Sequence, residues 1–202
     1  MKLSDRLPER VTVDGRTYRL DFDFRNVLDL MAQLDRTDLI QPAREWHALR
    51  CIMRRPPRDW HRRTALLLAV RGILFPAQRG EAGPKVTDFD QDADLIRAAF
   101  RQHYGIDLFR DRVHWLEFTA LLGALPEGSK YAEVLGYRAR PLPKPTKYNR
   151  EEREFLAKMK ARWALHLEGE EAERSYQHGL RMMAESLLML ADATKTTTGS
   201  DE

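Results

Sequence analysis

The sequence predicts a mostly α-helical bundle that carries a short β-hairpin at its N-terminus. After residue 24, apolar residues recur at steps of three and four in several segments, whereas residues 11–20 alternate between apolar and polar. At 202 residues the chain is long enough for one main domain and a helix outside it. Its composition, 43% apolar and 32% charged, indicates helices with long solvated faces.

The hairpin is predicted around the pair Asp14-Gly15, which tolerates the positive φ angles of a tight type I′ turn. Apolar side chains alternate on both sides of this pair, at Val11, Val13, Tyr18 and Leu20. Because two strands alone are marginal in water, we expect the apolar face of the hairpin to pack on helices or on another chain.

The helices are predicted from apolar periodicity and from proline, glycine and capping residues at their ends. Asn149 with Glu152 three residues later suggests a capping box at the start of the seventh of them. The predicted segments are residues 24–35, 42–55, 59–75, 95–104, 113–125, 130–135 and 149–163.

These segments define the expected domain organisation. Residues 1–166 form a helical domain that includes the hairpin and an internal loop near residues 77–90. Residues 167–193 form a separate C-terminal helix, and the polar stretch 194–202 is expected to be a disordered tail.

Charge and cysteine content limit the classes of function. The formal charge is only +3, so no global field attracts nucleic acid, although charges are grouped: residues 50–71 hold seven arginines and one acid. The single cysteine excludes an intramolecular disulfide, and no apolar run approaches the roughly 20 residues of a membrane span. We therefore expect a cytoplasmic protein that does not enter membranes.

No motif indicates catalysis or a bound cofactor. His47 and Cys51 lie four residues apart on one helix face, but the sequence lacks the further ligands that a metal site needs. The glycines of residues 79–84 lack the residues that complete a phosphate-binding loop, and no serine occupies a nucleophile elbow. The sequence predicts no catalytic residues, no metal and no cofactor.

The C-terminal helix carries the candidate partner-binding surface. Its apolar residues alternate at steps of four and three, the spacing of a coiled-coil seam, and methionines make such a surface adaptable. Two interpretations remain open, namely that this seam binds a partner or that it packs on its own domain. The seam consists of Tyr176, Leu180, Met183, Leu187 and Leu190.

A nucleic-acid interface is the alternative interpretation, and it uses the basic block. Guanidinium groups on adjoining helix ends can neutralise several phosphates. The less specific interpretation is a solvated helix face, because no helix-turn-helix, zinc finger or stacking motif accompanies these residues. The residues concerned are Arg54, Arg55, Arg58, Arg62 and Arg63.

One ordered set of motifs resembles a known family. It begins with Val13-Asp14-Gly15 and Asp23-Phe24-Arg25, and its firmest part runs from Phe89 to Arg138. That part contains Phe89-Asp90-Gln91-Asp92-Ala93-Asp94-Leu95-Ile96, His103-Tyr104-Gly105-Ile106-Asp107-Leu108, His114-Trp115 and Gly136-Tyr137-Arg138. Over residues 11–165 the chain resembles the gene-product-fifteen family of bacteriophage proteins.

The resemblance implies a role in tail morphogenesis. Members of this family occur in long-tailed phages and are usually encoded between the major tail protein and the tape measure protein, the position typical of tail assembly chaperones. The implied partners are therefore the tape measure protein, the tail tube protein or further copies of the chain, and the implied chaperone would be absent from the mature virion. A structural tail or connector protein retained in the virion is the alternative, and the family supplies no catalytic residues.

Overall fold

The computed structural model describes residues 4–75 and 85–166 of the chain. Within these ranges it contains seven helices and one two-stranded sheet, which confirms the predicted mostly α-helical fold with an N-terminal hairpin. The elements are β1 (Arg10–Val13), β2 (Arg16–Arg19), α1 (Phe24–Leu34), α2 (Gln41–Ile52), α3 (Trp60–Leu74), α4 (Ala93–Tyr104), α5 (Trp115–Gly123), α6 (Lys130–Ala139) and α7 (Arg150–Arg162).

The chain divides into two compact units. Unit 1 comprises residues 1–81 and 93–132, and unit 2 comprises residues 82–92 and 133–202. The predicted domain boundaries, with one domain over residues 1–166, remain a prediction. The helix expected at 167–193 and the tail expected at 194–202 lie outside the described residues.

The hairpin has the predicted turn. Asp14 and Gly15 adopt positive φ angles of 49° and 71°, and Val11 lies opposite Tyr18 in an antiparallel pair. Val11 and Leu20 are buried, and β1 contacts α3. The hairpin therefore covers part of the helical layer, as the marginal stability of an isolated hairpin requires.

An aromatic cluster forms the centre of unit 1. The ring of Phe118 stacks on Phe24, Phe100 and Trp115 at centroid distances of 4.7, 5.2 and 5.8 Å. The indole Nε1 of Trp115 donates a hydrogen bond of 3.1 Å to the carbonyl of Leu74, so this buried polar group is satisfied. These contacts fix α5 against α1, α4 and the end of α3.

Helices α1, α2 and α3 form a layer beside this cluster, with α2 in contact with both of the others. Their buried side chains recur at helical spacing, so each helix turns one apolar stripe inward. Those stripes consist of Val27 and Leu30, of Ala48, Leu49 and Ile52, and of Leu66 and Val70. Residues of all three helices line the groove described below.

Several predicted helix boundaries differ from the structure. Helix α2 ends at Ile52, not at residue 55, and residues 113–114 precede α5 because the Val113 carbonyl accepts from the Phe24 amide. Helix α6 continues through Gly136 to Ala139, beyond the predicted end at residue 135. The Lys160 ammonium donates to the carbonyls of Tyr137 and Arg138, and these bonds satisfy the end of the longer helix.

The predicted capping box at the start of α7 is wrong. The Asn149 side chain accepts from the Thr146 amide and donates to the Lys144 carbonyl, both at 2.8 Å, and makes no bond to the helix start. Glu152 instead forms an ion pair of 2.8 Å with Arg140. Asn149 thus holds the preceding proline-rich turn rather than the helix.

Candidate partner-binding groove

An apolar groove of about 490 Å³ in unit 1 is lined by residues of α1, α2 and α3 and by Phe75 directly after α3. Two of its apolar residues are exposed, Leu68 at 62% and Phe75 at 42%. The apolar lining consists of Leu30, Met31, Leu34, Leu67, Leu68, Val70 and Phe75, and the polar lining of Gln41, Arg44, Glu45, Thr64 and Arg71. An open apolar channel with a few fixed polar groups is typical of a binding surface.

Local sequence explains why apolar groups remain on this surface. Helix α3 carries three consecutive leucines, and one helical face cannot bury all of them. Leu66 is fully buried, Leu67 is half-buried and Leu68 is exposed. The helix therefore has more apolar surface than the fold of unit 1 uses.

The polar wall of the groove centres on a buried carboxylate. Glu45 is only 4% exposed, and both of its carboxylate oxygens lie 3.0 Å from the hydroxyl of Thr64. The Gln41 amide donates a further hydrogen bond of 3.1 Å to Oε1. These neutral donors hold the Glu45 side chain in place beside the apolar lining.

A second, polar cleft of about 770 Å³ lies elsewhere in unit 1, between the end of the hairpin and the end of α2. Two of its carboxylates are paired within the protein: Arg112 Nη2 is 2.7 Å from Asp21, and Arg25 Nη1 is 3.1 Å from both oxygens of Asp23. Arg50 and Arg54 also line the cleft. Burial alone would raise the pKa of Asp21, but the hydrogen bonds of Arg112 and of the Asp23 amide outweigh it and lower that pKa. Ion pairs thus hold the side chains of Asp21 and Asp23 at the wall of this cleft.

Two titratable side chains that line this cleft, His114 and Cys51, form hydrogen bonds within the protein. The amide of Leu116 donates to Nδ1 of His114, so Nε2 carries the proton and donates to the Pro8 carbonyl at 3.0 Å. The thiol of Cys51 donates to the His47 carbonyl at 3.4 Å, and burial, followed by the negative charge of Asp29, raises its pKa.

The basic block separates into two sets of side chains. Arg63 is 7% exposed, donates to the carbonyls of Pro57, Arg58 and Pro42, and lies over the Trp46 ring. Arg62 is half-buried, with Nε 3.9 Å from Asp14. The exposed members, which remain accessible to a phosphate backbone, are Arg54, Arg55 and Arg58.

The predicted seam of Tyr176, Leu180, Met183, Leu187 and Leu190 lies outside the described residues. Among residues 4–75 and 85–166, no group of three or more His, Cys, Asp or Glu side chains is arranged to hold a metal. No helix in those two ranges is both long and apolar enough to cross a membrane.

A family model described as bacteriophage Gp15 protein matches residues 3–165. This chain belongs to that family. The Gp15 protein is therefore a bacteriophage protein, and the resemblance seen in its sequence motifs is confirmed. No curated protein and no solved structure matches it.

The matched range contains one of the two candidate surfaces of this Gp15 protein and excludes the other. Every residue that lines the groove lies inside the matched range, whereas the seam begins after it. Sequence reasoning missed the groove, because its wall combines residues from three helices. The surplus of leucines on α3 was the one signal in the sequence that could have indicated it.

Proposed function

We propose that this Gp15 protein is a phage tail assembly chaperone, or a related tail-morphogenesis factor, that binds the tape measure protein. The observation that carries the proposal is the solvent-exposed apolar groove of unit 1, which lies within the part of the chain that the family model matches. A tape measure protein consists largely of long helices whose apolar faces need cover before the tail tube assembles. A chaperone of this type needs an exposed apolar surface with polar groups that fix orientation.

The proposed mechanism is reversible cover of apolar client surface in the host cell cytoplasm. Leu68 and Phe75 would lose their exposure to water when the client binds, and apolar burial would supply the driving force. Tail tube subunits would then displace the chain from the client, so the mature virion would not contain it. The proposal includes no catalytic step and no cofactor.

Co-expression tests this proposal. We expect the tape measure protein of the same phage to become more soluble with this chain and to elute with it in gel filtration. Unchanged solubility together with separate elution of the two proteins would contradict the proposal. Mass spectrometry of purified virions separates a chaperone, which should be absent, from a structural tail or connector protein, which should be present.

The exposed arginines Arg54, Arg55 and Arg58 favour nucleic-acid binding as the second candidate function. Phosphate contacts make affinity fall steeply with salt, because bound counterions are released. Fluorescence anisotropy with labelled duplex DNA at two salt concentrations tests this. Absence of binding at low salt, or an affinity that does not change with salt, would exclude the second candidate.

A further inference from the structure

Glu45 is the most unusual charged group in the groove. The residue is only 4% exposed, yet it lines a cavity that is open to solvent. Taking a carboxylate out of water is costly unless charged or hydrogen-bonded partners replace the water. A carboxylate at the wall of an apolar binding surface therefore needs an explanation.

The bonds to Glu45 leave part of its capacity unused. A carboxylate has about four acceptor positions, and here Gln41 donates to one oxygen of Glu45. The single Thr64 hydroxyl proton has three acceptors within reach, namely the two Glu45 oxygens and the Trp60 carbonyl. Within the ranges that the structure describes, no lysine, arginine or histidine nitrogen lies within 4 Å of the Glu45 oxygens. The neighbouring Arg44 donates instead to the Leu34 carbonyl at 3.3 Å. Glu45 thus forms no ion pair among the described residues, although Arg44 and Arg71 also line the groove.

The apolar lining fits a helix. Leu68 and Phe75 stand seven residues apart on or next to α3, about 10 Å along the axis, which matches two turns of a partner helix. Met31 and Leu34 on α1 face the same channel at a spacing of three. Helix-in-groove recognition uses anchors at i, i+3, i+4 and i+7 in this way.

We propose that the groove takes an amphipathic helix of the client that places one lysine or arginine against Glu45. This inference rests on the proposed function, since it specifies the client segment. The apolar stripe of the client would cover Leu68 and Phe75. Its lysine or arginine would form an ion pair with the Glu45 carboxylate that Thr64 and Gln41 hold in position. Arg71 on the rim would favour an acidic residue at the other side of the stripe, which fixes the direction in which the helix lies.

The test uses the full chain and overlapping helical peptides that cover the tape measure protein of the same phage. Isothermal titration calorimetry compares the wild type with Glu45→Gln, which keeps the size and an acceptor for Thr64 but removes the charge. Glu117→Gln, an exposed glutamate on α5, is the matched control. In the best-binding peptide, each lysine or arginine is replaced by methionine in turn.

We expect the best peptide to carry an apolar stripe and a basic residue, and one Met replacement to lower its affinity about tenfold, as for a lost charged hydrogen bond. Glu45→Gln should cause the same loss for the unchanged peptide and no further loss for the Met peptide, while Glu117→Gln should have no effect. The peptide-side substitution tests the pair even if Glu45→Gln folds poorly.

Three results would overturn the inference, and they differ in what they say of the proposed function. If Leu68→Asp abolishes peptide binding but neither Glu45→Gln nor any Met replacement weakens it, the client places no cation against Glu45, and the proposed function stands. If no peptide binds, the proposed function fails as well. If Leu68→Asp dissociates an oligomer of the free chain in sedimentation experiments, the occupant is a second copy and the client helix is excluded.

Discussion

Arg138 and Asp92 form a buried two-point ion pair in unit 2. Nη1 of Arg138 lies 2.7 Å from Oδ2 of Asp92, and Nη2 lies 2.8 Å from Oδ1. The two side chains are only 9% and 1% exposed. The same guanidinium donates to the carbonyls of Val86 and Trp163, so one side chain ties the segment before α4 to the end of α7.

Asp92→Asn should destabilise the protein strongly. Removing one partner of a buried pair leaves the guanidinium of Arg138 without its counter-charge, which costs about 3–5 kcal/mol. Urea unfolding followed by circular dichroism measures this change in the free energy of unfolding. The matched control is Asp94→Asn, because that carboxylate is 98% exposed and should contribute little. Equal stability of the two variants would contradict a stabilising role for the pair.

Asp21 should make stability depend on acid pH. Burial opposes its ionisation, but the hydrogen bonds from Arg112 and from the Asp23 amide lower its pKa in the folded state below the ordinary value. A lowered pKa contributes stability that is present above the unfolded pKa, about 4, and is lost as the pH falls through the folded pKa.

The measurement for Asp21 is the free energy of unfolding of wild type and Asp21→Asn between pH 7 and pH 2. The wild type should be more stable above about pH 4, and the difference should shrink below that pH. A difference that stays constant down to pH 2 would show that the ion pair with Arg112 does not stabilise the ionised form of Asp21.

Several features were predictable because they depend on local sequence. The hairpin follows from Asp14-Gly15, whose positive φ angles few other pairs adopt. Gly105, with φ 69°, ends α4 as expected of a left-handed C-cap. In both cases one short segment determines its own backbone conformation.

Other features depend on residues that are distant in the sequence. The cap at Asn149 failed because the competing acceptor and donor lie in the preceding turn, at Lys144 and Thr146. The groove was missed because Glu45 and Thr64 are 19 residues apart and meet only when α2 packs on α3. Arg63 resembled a surface cation in sequence, yet three carbonyls and the Trp46 ring surround its guanidinium.

Leu180→Asp and Leu187→Asp test the predicted C-terminal seam. If the seam binds a partner, each substitution should lower client binding or self-association while the far-ultraviolet circular dichroism and melting temperature of the chain stay unchanged. A charge placed on an apolar contact surface removes the favourable burial of the leucine and adds the free-energy cost of desolvating a carboxylate. Cooperative unfolding of the whole chain by either substitution would show instead that these residues belong to the core.

The central claim is that the groove of unit 1 binds the tape measure protein, and Leu68→Asp tests it most directly. Leu142→Asp is the matched control, because that leucine is also exposed but lies in unit 2. Affinity for the tape measure protein of the same phage is measured by titration after both variants are shown to fold. We predict that Leu68→Asp weakens binding by about tenfold or more, since burial of one leucine contributes about 1.5–3 kcal/mol, and that Leu142→Asp binds like the wild type. Equal binding by the two variants would contradict the claim.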